Sequence, residues 1–234
     1  MIDTHCHILP NCDDGPKTSE GSLRMAQAAV KQGIHTIIAT PHHGTRNYSN
    51  TAEQIQGRVK MLNQELQRLQ IPVKVLPGQE YRLSEFYRVE YEAGRLQTLG
   101  DTSLLLVELP SSKVPKFFME FIRYMKRQEI TVIIAHPERN LGVLRRPDRL
   151  QGWIKAGVLL QVTSQSLVGV FGSKVQKMAS LICGRQWAYL LASDAHNTLR
   201  RSFYLKEGYR QIEKSCGSAY VNVLQCHAEK FIQR

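Results

Sequence analysis

The chain has no apolar run of the roughly 18 residues that a membrane-spanning helix needs, and it opens without the basic segment and apolar stretch of a secretory leader. Its five cysteines, Cys6, Cys12, Cys183, Cys216 and Cys226, are odd in number and scattered. That excludes a disulfide framework and is expected of reduced thiols in a cytoplasmic protein. A thiolate phosphatase needs arginine six positions after its cysteine. Those positions here hold Cys12, Thr18, Tyr189, Asn222 and Ile232, so covalent thiol chemistry of that kind is excluded. Gly169 and Gly172 in LVGVFG lack the Lys-Ser/Thr that completes a nucleotide loop. There is no long block of lysine or arginine, no basic region with heptads and no zinc-finger spacing. The net charge of +11 therefore marks no familiar nucleic-acid module, although it favours polyanionic partners, from nucleic acid or anionic lipid to acidic or phosphorylated protein.

What is present reads as a folded α/β chain. Hydrophobic residues make up 42% of the 234, enough for a core. Apolar runs (TIIA, LLLV, VIIA, VLL, YLLA) begin near residues 34, 103, 130, 158 and 188, and two further strands are expected near residues 2 and 73. Near-continuous apolar strands are expected when both faces of a parallel sheet are covered. The intervals of roughly 30 residues carry helical patterns, expected over residues 19–32, 52–69, 84–93, 117–127, 148–156 and 174–183, with a mostly helical end over 202–234. Seven βα units suggest a barrel one unit short of eight, with an open doubly wound sheet as the alternative. No linker or boundary interrupts residues 1–234, so one domain is expected.

The strand ends carry the chemistry. In MIDTHCHILPNCDDG, His5 and His7 alternate onto one face of a strand, and Asp13 and Asp14 follow on a turn closed by Gly15. Further along come His42, Glu80, Glu108, His136, and the pair Asp194 and His196. Each alone reads as a cap or a packed polar residue. Nine imidazoles and carboxylates (His5, His7, Asp14, His42, Glu80, Glu108, His136, Asp194 and His196) at the C-terminal ends of strands, where parallel barrels place their active sites, point to a metal cluster. The set has no thiolate, which suits zinc, manganese or iron in a catalytic site. Four carboxylates against three divalent ions leave a formal +2, matched to a phosphoryl dianion.

The blocks MIDTHCHILPNCDDG, IIATPHH, LPGQE, IIAHPERN and SDAHN, in this order, resemble the polymerase-and-histidinol-phosphatase superfamily, and more closely the bacterial manganese-dependent protein-tyrosine phosphatases of capsular and exopolysaccharide gene clusters. The resemblance spans about residues 1–201. It implies a distorted (β/α)7 barrel with a helical C-terminal end and three divalent ions, manganese first, with iron or zinc as alternatives. One ion would take His5, His7, Glu80 and Asp194. A second would share Glu80 and add Glu108 and His136, and the third would take Asp14, His42 and His196. Asp13, His43 and Glu138 match the blocks without being ligands of the family pattern.

The implied reaction is in-line attack on a phosphomonoester by metal-activated water. His42 or Asp194 would move a proton, and Arg139 and Arg201 would clamp the phosphate through planar, bidentate donors. The implied partner is a phosphotyrosine protein, the tail of a bacterial tyrosine kinase. Two alternatives share the ligand set: a small-molecule phosphomonoesterase of the histidinol-phosphatase type, and a nucleic-acid-processing domain.

Overall fold

A computed structural model describes residues 1–231; the last three positions of the expected C-terminal helical end, 232–234, lie outside the described residues. The strands are β1 (Ile2–Cys6), β2 (Thr36–Ala39), β3 (His42–His43), β4 (Lys74–Pro77), β5 (Glu80–Arg82), β6 (Leu104–Glu108), β7 (Thr131–Ala135), β8 (Leu159–Thr163) and β9 (Leu190–Ala192). The helices are α1 (Ser19–Lys31), α2 (Ala52–Arg68), α3 (Tyr87–Glu92), α4 (Phe118–Arg127), α5 (Leu141–Arg145), α6 (Arg149–Lys155), α7 (Ser164–Leu167), α8 (Ser173–Gly184), α9 (Leu205–Cys216) and α10 (Ser218–Glu229).

All strand pairs are parallel, in the orders β1-β2-β4 and β3-β5-β6-β7-β8-β9. The expected run HTIIAT ends before Pro41, with a further short strand, β3, beyond it, and the expected strand VKVLPGQEY is broken in two at its Pro-Gly. Pro41 separates β2 from β3, because proline has no N–H to continue the ladder. Gly78 separates β4 from β5, at a point where a Cβ would stand only 2.6 Å from Ile38 Cγ2. An isolated bridge between Cys6 and Ala195 joins the β1 end of one sheet to the β9 end of the other. N–H bonds from His7 to Ala195 O (2.9 Å) and from Asp194 to His5 O (2.8 Å) reinforce it. The arrangement fits a distorted barrel and not an open doubly wound sheet.

Strand alternation sorts the core into two layers. Ile37, Val75, Leu105, Val107, Val132, Ile134, Leu160 and Val162 pack outward among the helices. Ile2, Ile38, Leu106, Ile133 and Leu190 form a second cluster, closed by Ala228 and Phe231 from the C-terminal end of the chain. The helices follow their apolar spacing. In α1, Thr18 caps the first turn by accepting from Gly21 N–H, and Met25, Ala26 and Ala29 are buried. In α2, Ile55, Val59, Leu62 and Leu66 form one buried stripe behind a capping box from Thr51 and Gln54. The helix expected over 84–93 is shorter, and the short α5 and α7 were not expected. Among the described residues no helix is long and apolar enough to cross a membrane.

Candidate metal centre

Seven connected strand ends deliver side chains to one mouth. The register of β1 slips between Asp3 and Cys6. As a result Thr4 and His5, adjacent in sequence, both reach Gln161 of β8. Gln161 Nε2 donates to Thr4 Oγ1 at 3.2 Å, and Gln161 Oε1 lies 2.6 Å from His5 Nδ1. His136 and Asp194, at the ends of β7 and β9, take left-handed backbone with φ of 32° and 56°. That conformation costs non-glycine residues about 1–3 kcal/mol and concentrates at functional sites. Here it turns both side chains toward Glu80 and the histidines.

The donor atoms converge. His5 Nε2 and His7 Nε2 lie 3.2 Å apart. Glu80 Oε2 is 3.4 Å from the first and 3.2 Å from the second, and Asp194 Oδ1 is 3.3 and 3.2 Å away. Glu80 Oε2 also lies 3.0 Å from His42 Nδ1, while Glu80 Oε1 meets His136 Nε2 at 2.6 Å. Asp14 Oδ1 is 3.5 Å from His42 Nε2 and 3.2 Å from His196 Nε2. Three groups emerge whose donor atoms all lie within 4.8 Å of one another: His5, His7, Glu80 and Asp194; His42, Glu80 and Glu108; and His7, Asp14, His42 and His196. These groups hold eight of the nine expected ligands; His136 falls in none of them and reaches the cluster through Glu80 Oε1, and His42 stands beside Glu80 and Glu108 where His136 was expected.

Whether these residues suit a cation is answered by their lone pairs. Gln161 Oε1 and Asp13 Oδ2 can only accept, so the Nδ1 atoms of His5 and His7, each 2.6 Å from its partner, carry the hydrogens. In the neutral rings the two Nε2 lone pairs then face each other across 3.2 Å, with carboxylate oxygens beside them. His42 Nδ1, His196 Nε2 and Asp194 Oδ1 are buried without a hydrogen-bond partner. A cation would satisfy these acceptors together.

The electrostatics agree. Burial opposes charge on His7, but Asp13, Asp194 and Glu80 outweigh it and raise its pKa well above the ordinary imidazole value. His42 and His136 are raised in the same way, chiefly by Glu80 against burial. Burial and the adjacent Glu80 charge push Glu108 up. Burial also disfavours the ionised forms of Glu80 and Asp194, yet surrounding histidines, and Arg139 at Asp194, hold both well below the carboxylate range. Carboxylates that keep extra protons on imidazoles mark a site short of positive charge, and a divalent ion would displace those protons.

Several residues beyond the nine shape the site. Asp13, buried, touches His7 Nδ1 at 2.6 Å and accepts from the amides of Gly15 (2.8 Å) and His42 (3.0 Å). Burial would raise its carboxyl, but His7 and these amides bring it down to about 2. Its carbonyl accepts from Lys17 Nζ. Gln161 was not expected; a polar residue in the middle of VLLQVTS was the available signal. Arg82 was also missed and pairs with Glu108 at 2.7 Å. His43 turns away to Glu90 at 3.1 Å, and Glu138 accepts from Thr163. His35 and His227 bond to Thr36 Oγ1 and to Tyr189 O, apart from the cluster.

Arg139 and Arg201 both reach Asp194 Oδ2, at 2.5 and 3.3 Å, and Arg201 also holds Asp14 Oδ2 at 3.0 Å. With His42, Glu80, Glu108 and His136 they line a cleft of about 220 Å³.

A parallel α/β barrel with imidazoles and carboxylates gathered at the C-terminal mouth is the arrangement of a metal-dependent hydrolase. Residues 1–233 match the family described as capsular polysaccharide synthesis, CpsB/CapC. The tyrosine-protein phosphatase YwqE of Bacillus subtilis is 37% identical over 233 residues, covering 100% of this chain and 92% of the relative. The tyrosine-protein phosphatase CpsB of Streptococcus agalactiae serotype V is 26% identical over 229 residues, 96% of this chain and 94% of that one. A crystal structure from work on Bacillus subtilis YwqE and Streptococcus pneumoniae CpsB, described as unique metal-dependent tyrosine phosphatases, superposes with a TM-score of 0.95 at 37% identity, covering 100% of this chain and 94% of that chain. The Listeria monocytogenes lactonase Lmo2620, at 12% identity and a TM-score of 0.61 over 98% and 94% of the two chains, shares the fold alone. The chain belongs to the CpsB/CapC family.

Proposed function

We propose that this protein is a metal-dependent protein-tyrosine phosphatase whose unit is residues 1–234. The observation that carries the proposal is the convergence of eight imidazole and carboxylate side chains, with His136 beside them on Glu80 and several polar atoms unpartnered, next to two arginines at one cleft. His5, His7, Glu80 and Asp194 would hold one ion; Glu80, Glu108 and His136 a second; Asp14, His42 and His196 a third. Manganese is the favoured metal because of the resemblance to the manganese-dependent phosphatases; the nitrogen and oxygen donors without sulfur suit it as they suit zinc or iron. Bound divalent ions supply an acidified water and neutralise phosphoryl oxygens.

The protein's own groups do the rest. Arg139 and Arg201 offer planar donors to the phosphoryl oxygens. Of the two expected proton carriers His42, the partly open imidazole at the cleft, is the better placed: Nε2 faces Asp14 of the third group, which leaves Nδ1, 3.0 Å from Glu80 Oε2, as the nitrogen to hold a proton. Asp194 has Oδ1 facing two histidines and Oδ2 held by both arginines. A tyrosine leaving group, with a pKa of about 10, needs little protonation to depart.

The partner would be the phosphotyrosine tail of a cytoplasmic bacterial tyrosine kinase that controls polysaccharide synthesis, drawn to a surface of net charge +11. The test is elemental analysis of the purified protein together with turnover of a phosphotyrosyl peptide, with and without manganese, and of histidinol phosphate. Three metals per chain and preference for the peptide are expected. Turnover that persists in a strong chelator overturns the proposal.

A further inference from the structure

The LVGVFG stretch, without a role as a nucleotide loop, forms the turn between α7 and α8. Gly169 and Gly172 both take positive φ, 86° and 87°, which glycine alone adopts without strain. The turn is pinned by N–H bonds from Val170 to Gln165 O and from Gly172 to Gly169 O, both 3.0 Å, and by Gln176 Nε2 donating to Leu167 O at 2.8 Å. It presents Phe171, which is 36% exposed and so buries less than a core phenylalanine would. The ring centroid lies 3.9 Å from Arg139 Cζ.

That contact completes a frame around the guanidinium. Arg139 Nη1 donates to Asp194 Oδ2 (2.5 Å), Nη2 to Thr163 Oγ1 (2.6 Å) and Nε to Ser166 Oγ (3.3 Å). The edge is held by three oxygens, and one face lies on the Phe171 ring. Long side chains lose conformational entropy when they bind a ligand, and a group already fixed in plane loses less.

We infer that Phe171 is a positioning residue of the phosphate clamp: its ring fixes the plane of the Arg139 guanidinium and so sets the affinity of the cleft for a phosphoryl group. The inference rests on the proposed role of Arg139 toward phosphate. A cation–π contact at a partly exposed position is of modest size, so Phe171→Ala should weaken phosphate binding about three- to tenfold.

The experiment titrates inorganic phosphate into the full-length, manganese-loaded protein by calorimetry. KM and kcat are then measured on a phosphotyrosyl peptide, and manganese per chain is counted for each variant. Phe171→Ala and Phe171→Leu should raise the phosphate Kd and the KM, with kcat and metal content unchanged, and Phe171→Tyr should restore binding. A normal Phe171→Ala beside an impaired Arg139→Ala overturns the role of Phe171 and leaves the clamp standing. If Arg139→Ala binds phosphate normally, the clamp itself fails, and the inference with it. Loss of manganese from Phe171→Ala would make the residue structural and also overturn the inference.

Discussion

His136 and Asp13 separate two jobs that a buried polar side chain can do at this mouth. His136 presents Nε2 directly to Glu80 at 2.6 Å. His136→Ala is expected to remove metal and most turnover while leaving the fold, checked by elemental analysis and circular dichroism; loss of the spectrum would make the site structural. Asp13 instead has both carboxylate oxygens engaged by the protein itself. It fixes the His7 ring, the His42 backbone and the turn that carries Asp14. Partners of this kind orient the ligands, and their loss lowers metal affinity about 10–100-fold. Asp13→Asn should lower manganese affinity by that order, measured by calorimetry, with little loss of helix content. His5, Glu80 and Asp194 were legible as residues because each stands near or just past the end of an expected strand. Asp13 and Gln161 were not legible in these roles. Their partners are fixed by where β1, β2 and β8 lie in space.

Among the elements, the broken strands matter most. The sequence suggests a run HTIIAT ending at Pro41-His42-His43 and a strand VKVLPGQEY with Glu80 just past a Pro-Gly break. Pro41 ends the first and Gly78 interrupts the second, and the short strands beyond them, β3 and β5, pair His42 with Glu80 in register. A Cβ added at Gly78 would stand 2.6 Å from Ile38 Cγ2 and 3.0 Å from Leu99 Cδ2. Gly78→Val is expected to destabilise the fold by about 1–3 kcal/mol through overpacking, read as a lower urea midpoint. The long helices α1 and α2 were readable because caps and apolar stripes are local signals. The short α5 and α7 were not, since four or five residues carry too little periodicity. Asn140 caps the first by accepting from Val143 N–H, and Ser164 of the second donates to Phe203 O.

For the molecule as a whole, charge and thiols lead to two further expectations. Cys6, Cys12 and Cys183 are buried, and burial raises all three thiols, Cys12 to about 11. Alkylation of the exposed Cys226 and half-exposed Cys216 with iodoacetamide should leave turnover intact, and a chelator should abolish it. Sensitivity to alkylation would point back to thiol chemistry. A net charge of +11 should draw acidic phosphopeptides over long range. Raising salt from low to physiological ionic strength should raise KM for an acidic phosphotyrosyl peptide several-fold, and KM for a small neutral-sided aryl phosphate much less. Equal sensitivity would confine the electrostatics to the cleft.

Parallel βα rhythm, the strand ends and the nine donors could be read along the chain, because alternation, helix periodicity and residue chemistry are local properties. The joining of β9 back to β1, the left-handed turns at His136 and Asp194, and the attachment of both arginines to one carboxylate oxygen could not. The joining and the Arg139 bond depend on segments more than 50 residues apart meeting in space, while the turns and the Arg201 bond, seven residues from Asp194, depend on how the packed strand ends aim their side chains, so geometry decides which of several equally polar neighbours becomes the partner.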